Sequence, residues 1–304
     1  MKALGLLPTL WLLCACAHSS SEPTPPRSAP AEPAQTKPPS SADLRLHEFH
    51  SDVFGNTRML RVLLPPGYDE PGNATRRYPV LYLNDGQNLF DAAASMFNAE
   101  EWQVDETVYR LVAAGRIEPL IVVGIDNGGK RQRPVEYLPY PDEFLRPAVP
   151  APRGREYPDF LVDEVMPFIN RTYRTRTGPE ATGVGGSSYG AVAALYTAMM
   201  RPGVFGQLLL ESPSLYISDE QLLKDCASVH RWPARVYVGI GTRETGDPEG
   251  DREAVDLIRR FGERLKDAGV KEKSLLVVVD EGATHREDAW AQRLPGALEF
   301  LYRK

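Results

Sequence analysis

From residue 44 onward, short apolar runs alternate with longer segments whose apolar residues recur every three or four positions. The short runs predict strands at 44–49, 59–64, Val80–Asn84, Ile121–Ile125, 181–185, 207–210, 235–240 and 274–279. The second is closed by Pro65-Pro66-Gly67, which cannot continue a strand ladder. Runs such as Ile121-Val122-Val123-Gly124-Ile125 are apolar on both faces, as strands are when a sheet is covered on both sides. Helices are predicted at 101–114, 158–170, 191–200, 253–268 and Glu287–Tyr302. In 253–268, Val255, Ile258, Phe261 and Leu265 form a stripe of 3.6-residue period. Early strands close together, then strands alternating with helices, predict an α/β fold with a mostly parallel central sheet and helices on both faces.

One junction carries chemistry. Gly186-Ser187-Ser188-Tyr189-Gly190 fits G-x-S-x-G in one register only, with Ser188 at its centre. Ser187 cannot be the central serine, because the second glycine would then fall on Tyr189. A predicted strand precedes the motif and a small-residue helix follows it, the setting of a nucleophile elbow. A serine needs a base. Of the 5 histidines, His18 lies in the N-terminal tail, His47 and His50 near the first strand, and His230 before the strand at 235–240. Sites in open α/β sheets form at the carboxyl ends of strands. That leaves His285, which follows the run at 274–279 through Glu281-Gly282-Ala283-Thr284. The acid that fixes the imidazole tautomer is expected between Ser188 and His285. Glu244 and Asp247, after the strand at 235–240, are both candidates, with Glu244 nearer the strand end.

Composition bounds the rest. The 304 residues are 42% hydrophobic and 25% charged, ordinary for a globular enzyme and enough for one large domain. The net charge of −6 offers no basic field for nucleic acid. Residues 1–15 read as a lipoprotein-type signal peptide, with Met1-Lys2 basic, 3–13 apolar and Leu13-Cys14-Ala15 before Cys16, the expected lipidation site. Residues 16–42 are Ser-, Pro- and Ala-rich and predict a disordered, semi-stiff tether. The catalytic domain is expected at 43–304. Of the 3 cysteines only Cys226 lies in it, so no disulfide is expected within the domain. No His/Cys spacing suggests a metal, and no cofactor is expected.

Residues 126–157 form a Pro- and Arg-rich insertion after the strand Ile121–Ile125. Between 130 and 155 it carries Lys130, Arg131, Arg133, Arg146, Arg153 and Arg155 against Glu136, Asp142 and Glu143, a local +3. One reading is a substrate-binding lid for anionic or polyphenolic groups, with Arg131 and Arg133 as its contacts. The other is a solvated loop of locally paired charges.

Five segments taken together resemble the putative esterase group of the α/β-hydrolases: Tyr82 to Asp91, Val122 to Asn127, Gly186 to Gly190, Glu211 to Tyr216, and Gly282 with His285 and Trp290. That group includes enterochelin, feruloyl and acetylxylan esterases, S-formylglutathione hydrolase and the mycolyltransferases. The resemblance covers almost everything after Leu44. It implies the α/β-hydrolase fold and a triad of Ser188, Glu244 or Asp247, and His285. It also implies an oxyanion loop at Asp85-Gly86-Gln87, with the N–H groups of Gln87 and Tyr189 as donors; an acyl oxyanion needs two such donors. Asp85 and Trp102 join Arg131 and Arg133 as expected substrate contacts. The group often has glycine where this chain has Ala191, a small enough residue to keep the elbow. The expected protein is thus an exported, lipid-anchored serine esterase, resembling the single-domain exported forms and acting on a siderophore ester or an acylated polysaccharide. Acyl transfer to a sugar and non-catalytic surface binding are the alternatives.

Overall fold

The computed structural model describes residues 43–96, 100–143 and 145–303. The expected signal, Cys16 and tether lie outside these residues. One eight-stranded sheet runs in the order β1-β2-β4-β3-β5-β6-β7-β8. Its strands are β1 (Leu44–Ser51), β2 (Asn56–Leu63), β3 (Val80–Asn84), β4 (Ile121–Ile125), β5 (Thr182–Ser187), β6 (Gln207–Glu211), β7 (Arg235–Arg243) and β8 (Leu275–Thr284). β2 pairs antiparallel with both β1 and β4, and every other pairing is parallel. This is the α/β-hydrolase fold.

The alternation of side chains across the strands builds two cores. Val80 and Tyr82 of β3 face one, Leu81 and Leu83 the other. The first core is covered by α5 (Tyr189–Met200) and α7 (Pro248–Asp267), whose stripe Val255, Ile258, Phe261 and Leu265 is buried as the periodicity predicts. The second is covered by α1 (Val104–Ala113) and α8 (Glu287–Tyr302), through Val104, Val108, Leu111, Leu294 and Leu298. Helices therefore lie on both faces.

The expected helix at 158–170 is α3 (Tyr157–Asp159), a π-helical stretch (Phe160–Val165) and α4 (Met166–Thr172) in succession. The wide turn precedes Pro167, whose missing N–H breaks the regular ladder at that point. Three boundaries differ from expectation in ways that shape the site. α7 begins at Pro248, not 253, and Asp247 caps it by accepting from the Gly250 N–H at 2.8 Å. β7 runs on to Arg243 and β8 to Thr284, so 281–284 is strand rather than turn. β8 is also the sheet edge and half-exposed, not buried. Two short helices were not anticipated: α2 (Gln132–Tyr137) inside the Arg-rich insertion and α6 (Ile217–Asp225) after β6.

Candidate active site

β5 ends at Ser187 and α5 begins at Tyr189, so Ser188 alone makes the turn. Its backbone sits at φ 54°, ψ −124°, a conformation that L-residues seldom hold. The glycines on either side are required by space. A Cβ at Gly186 would fall 2.8 Å from the Gly190 carbonyl, and one at Gly190 would fall 2.8 Å from Asp85 Oδ2. The Ser188 N–H donates to Glu211 O at 2.9 Å, tying the elbow to β6. The Asn84 side chain at the end of β3 donates to Gly190 O at 2.7 Å and pins the first turn of α5.

β8 delivers His285 and β7 delivers Glu244. Their side chains meet with Nδ1 and Oε2 2.6 Å apart. Glu244 is held from its other side: its Oε1 accepts from the Gly241 N–H at 2.6 Å and from the Ser212 hydroxyl at 2.8 Å. Ser212 in turn accepts from the Trp290 indole N–H at 3.0 Å, and the Trp290 ring lies edge-on to His285 at 5.2 Å. Burial alone would raise the Glu244 carboxyl. The hydrogen bond and charge of His285, with the Gly241 and Ser212 donors, outweigh burial and hold it below the usual glutamate range. Asp247, the other candidate acid, is exposed and occupied as the α7 cap.

Ser188 and His285 line the same two cavities. The hydroxyl of Ser188 is within 3.3 Å of the Ser214 hydroxyl, and among the described residues this is its side-chain hydrogen bond. Ser214 lies within Glu211-Ser212-Pro213-Ser214, one of the segments that carry the resemblance, but no role for it or for Ser212 follows from the sequence alone.

The loop after β3 approaches the elbow from the other side. Asp85 is left-handed (φ 60°, ψ 48°), and Gly86–Asn88 forms a tight 3₁₀ turn. Gly86 presses on β4, where an added Cβ would lie 2.6 Å from the Gly124 carbonyl carbon. Gln87 is fixed through its side chain, whose Oε1 accepts from the Asn127 N–H at 3.3 Å. Tyr189 supplies the first N–H of α5, which by helix geometry has no intrahelical acceptor.

The model of the esterase family described as "Putative esterase" matches residues 51–301. The chain belongs to this family of carboxylic-ester hydrolases. It is 24% identical to the uncharacterized protein YbbA of Bacillus subtilis over 84% of this chain and 96% of that protein. It is 28% identical to an endo-1,4-beta-xylanase/feruloyl esterase of Xylanibacter ruminicola, over 84% of this chain but only 31% of that longer protein. Among solved structures, the BES protein of Bacillus cereus superposes with a TM-score of 0.66 at 17% identity, covering 90% of this chain and 100% of that one. The enterobactin esterase FES of Shigella flexneri gives 0.65 at 18% identity, covering 86% and 60%.

The insertion of this esterase is not a free flap. Tyr137, Leu138, Val149 and Tyr157 anchor it in the first core. Arg133 is 8% exposed and forms a two-pronged ion pair with Asp85, at 2.8 Å for each prong. Asn127 also donates to Asp85, at 2.6 Å. Two of the four expected substrate contacts, Asp85 and Arg133, thus pair with each other while bordering the smaller cavity. The remaining arginines are spread outward. Arg131 is exposed and borders neither cavity, Arg153 pairs with Glu156, and Arg146 and Arg155 donate to backbone carbonyls. Trp102 is corrected as well. It is 2% exposed within the second core, its ring 5.6 Å from Trp290, so it backs the ring that touches His285 and borders neither cavity. Among the described residues no group of three or more His, Cys, Asp or Glu is placed to hold a metal, and no helix is long and apolar enough to cross a membrane.

Proposed function

We propose that this esterase hydrolyses carboxylic esters through an acyl-enzyme on Ser188, with His285 as base and Glu244 as the acid that orients it. The observation that carries the reading is the 2.6 Å contact of Glu244 with His285 Nδ1, beside the cavity that Ser188 borders. Engagement of Nδ1 leaves Nε2 as the nitrogen available to the nucleophile. Substrate binding turns the Ser188 hydroxyl from Ser214 toward Nε2, since catalytic hydrogen bonds often tighten only in the complex. Oγ attacks the ester carbonyl and its proton passes to Nε2. The carbonyl oxygen becomes an anion, held by the N–H groups of Gln87 and Tyr189. Collapse breaks the bond to the alcohol, which takes the proton from Nε2. Water then repeats the sequence on the acyl-enzyme, returning Ser188 and releasing the acid.

The similar proteins include esterases of enterobactin and an endo-1,4-beta-xylanase/feruloyl esterase. Siderophore esters and acylated polysaccharides are accordingly the substrate classes we propose. The proposal extends to an exported enzyme anchored through lipid on Cys16, on the strength of the sequence pattern at 1–16. Turnover of short-chain p-nitrophenyl esters by the purified domain, with release of free acid, tests the hydrolase reading. Absence of turnover with every such ester would count against it.

A further inference from the structure

Ser188 and His285 stand where two unequal cavities meet. One has a volume of about 900 Å³ and the other about 280 Å³. The larger runs between α7 and the segment after β6, over an apolar floor that includes Ile240 and Leu257. Its mouth carries Tyr216, 58% exposed.

The formal charges bordering this larger cavity are net negative. Besides Glu244, three carboxylates border it: Glu220, Glu253 and Asp256. Two guanidiniums do so, and each is already committed. Arg133 holds Asp85, and Arg260 holds Glu220 with bonds of 2.7 and 2.8 Å. Glu253 has no ion-pair partner among the described residues. Asp256 pairs with Arg259 at 3.1 Å in an exposed contact that offsets part of its charge. Residues 253, 256 and 260 recur at helical spacing, so one face of α7 presents both carboxylates along the cavity. A concave, partly apolar wall with an excess of one sign of charge concentrates the opposite sign.

We propose that Glu253 and Asp256 determine specificity, making the large cavity select esters whose bulky part is cationic or neutral and reject anionic ones. The exposed Tyr216 ring suits a quaternary ammonium or a sugar or aromatic ring laid on its face. This reverses the preference suggested by the Arg-rich insertion, and it rests on the ester-hydrolase reading.

The test uses two charge series on the purified domain at low salt. In the first the acyl group varies: p-nitrophenyl esters of 4-(trimethylammonio)butanoate, 5,5-dimethylhexanoate and glutarate. In the second the alcohol varies: the acetates of choline, 3,3-dimethylbutanol and 4-hydroxybutanoate. In at least one series kcat/KM should fall from cation to neutral to anion, with a total spread of roughly tenfold. The series showing it identifies which half of the ester occupies the large cavity. The double variant Glu253→Gln, Asp256→Asn should shrink the cation-to-anion ratio to about twofold, as should salt of about 0.5 M. Neutral esters turned over with no charge order in either series, or an order favouring the anion, would overturn the inference. An order that persists unchanged in the double variant would overturn its assignment to these residues. Failure to turn over either neutral ester, with no fluorophosphonate labelling of Ser188, would instead overturn the hydrolase reading and this inference with it.

Discussion

Glu244 Oε2 lies 2.6 Å from His285 Nδ1, although 41 positions separate the two residues in the chain. Asp247, three residues further on, points its carboxylate at the Gly250 N–H instead. The two acids therefore predict different losses. Glu244→Gln should lower kcat by about 10³–10⁴, because an amide cannot hold the imidazole in its working tautomer or stabilise its protonated form. Asp247→Asn should leave kcat within a few-fold and change stability by less than about 1 kcal/mol, since asparagine also caps helices. Steady-state kinetics and thermal unfolding of both variants check this. A crippled Asp247→Asn beside a mild Glu244→Gln would move the acid role to Asp247.

Arg133 and Asp85 form a buried ion pair that ties the insertion to the loop after β3. Arg133→Gln leaves the Asp85 carboxylate buried without its main counter-charge, at a cost of about 3–5 kcal/mol. The displaced loop should lower kcat by a similar factor for a neutral and an anionic ester. Adding Asp85→Asn to Arg133→Gln should cost much less than the sum of the single changes, the signature of a coupled pair. A rise in KM confined to the anionic ester would show Arg133 to be a substrate contact after all.

Glu211 lies under the site, fully buried against Arg293 at 2.7 Å. Burial raises its carboxyl most strongly, the Arg293 charge and hydrogen bond oppose this, and the charge of Glu244 adds to it, leaving the group at about 7. A carboxyl raised from its ordinary 4.5 binds its proton more tightly in the folded chain than in the unfolded one. Its contribution to stability is full below about 4.5 and is lost as pH rises to about 7. Melting temperatures should decline across that window in the wild type and decline less in Glu211→Gln. The variant should be less stable overall, because Arg293 keeps only its 3.3 Å contact with Asp280. Parallel slopes for the two proteins would contradict the account.

Lipid on Cys16 should partition the chain to membranes, because the diacylglyceryl group implied by the lipoprotein-type pattern supplies the two chains that stable anchoring needs. Membrane fractionation should find the wild type in the membrane pellet and Cys16→Ala in the soluble fraction. Equal partitioning would make residues 1–15 an ordinary signal segment.

β3 and β4 match residue for residue because each is an apolar run covered on both faces. The elbow was legible because the G-x-S-x-G spacing is local. Edges and pairings were not. Asp280 to Thr284 is polar enough to read as a turn, yet on an edge strand polar side chains face solvent and the ladder with β7 continues past a bulge. The start of α7 at Pro248 was masked by Pro-Glu-Gly-Asp, although proline at a first helical position is itself a start signal. Arg133 was read from the charge of its own segment. Its partner is 48 residues away, and only the fold brings Asp85 to it. The burial of Trp102 is hidden for the same reason: its neighbour Trp290 belongs to the last helix.

The account turns on Ser188 as the nucleophile. A fluorophosphonate probe followed by peptide mass spectrometry should place the label on Ser188, with none on Ser187 or Ser214. Ser188→Ala should abolish labelling and lower kcat for a short-chain ester by about 10⁴–10⁶ while melting normally. Label on Ser187 or Ser214, or turnover retained in a folded Ser188→Ala, would contradict it.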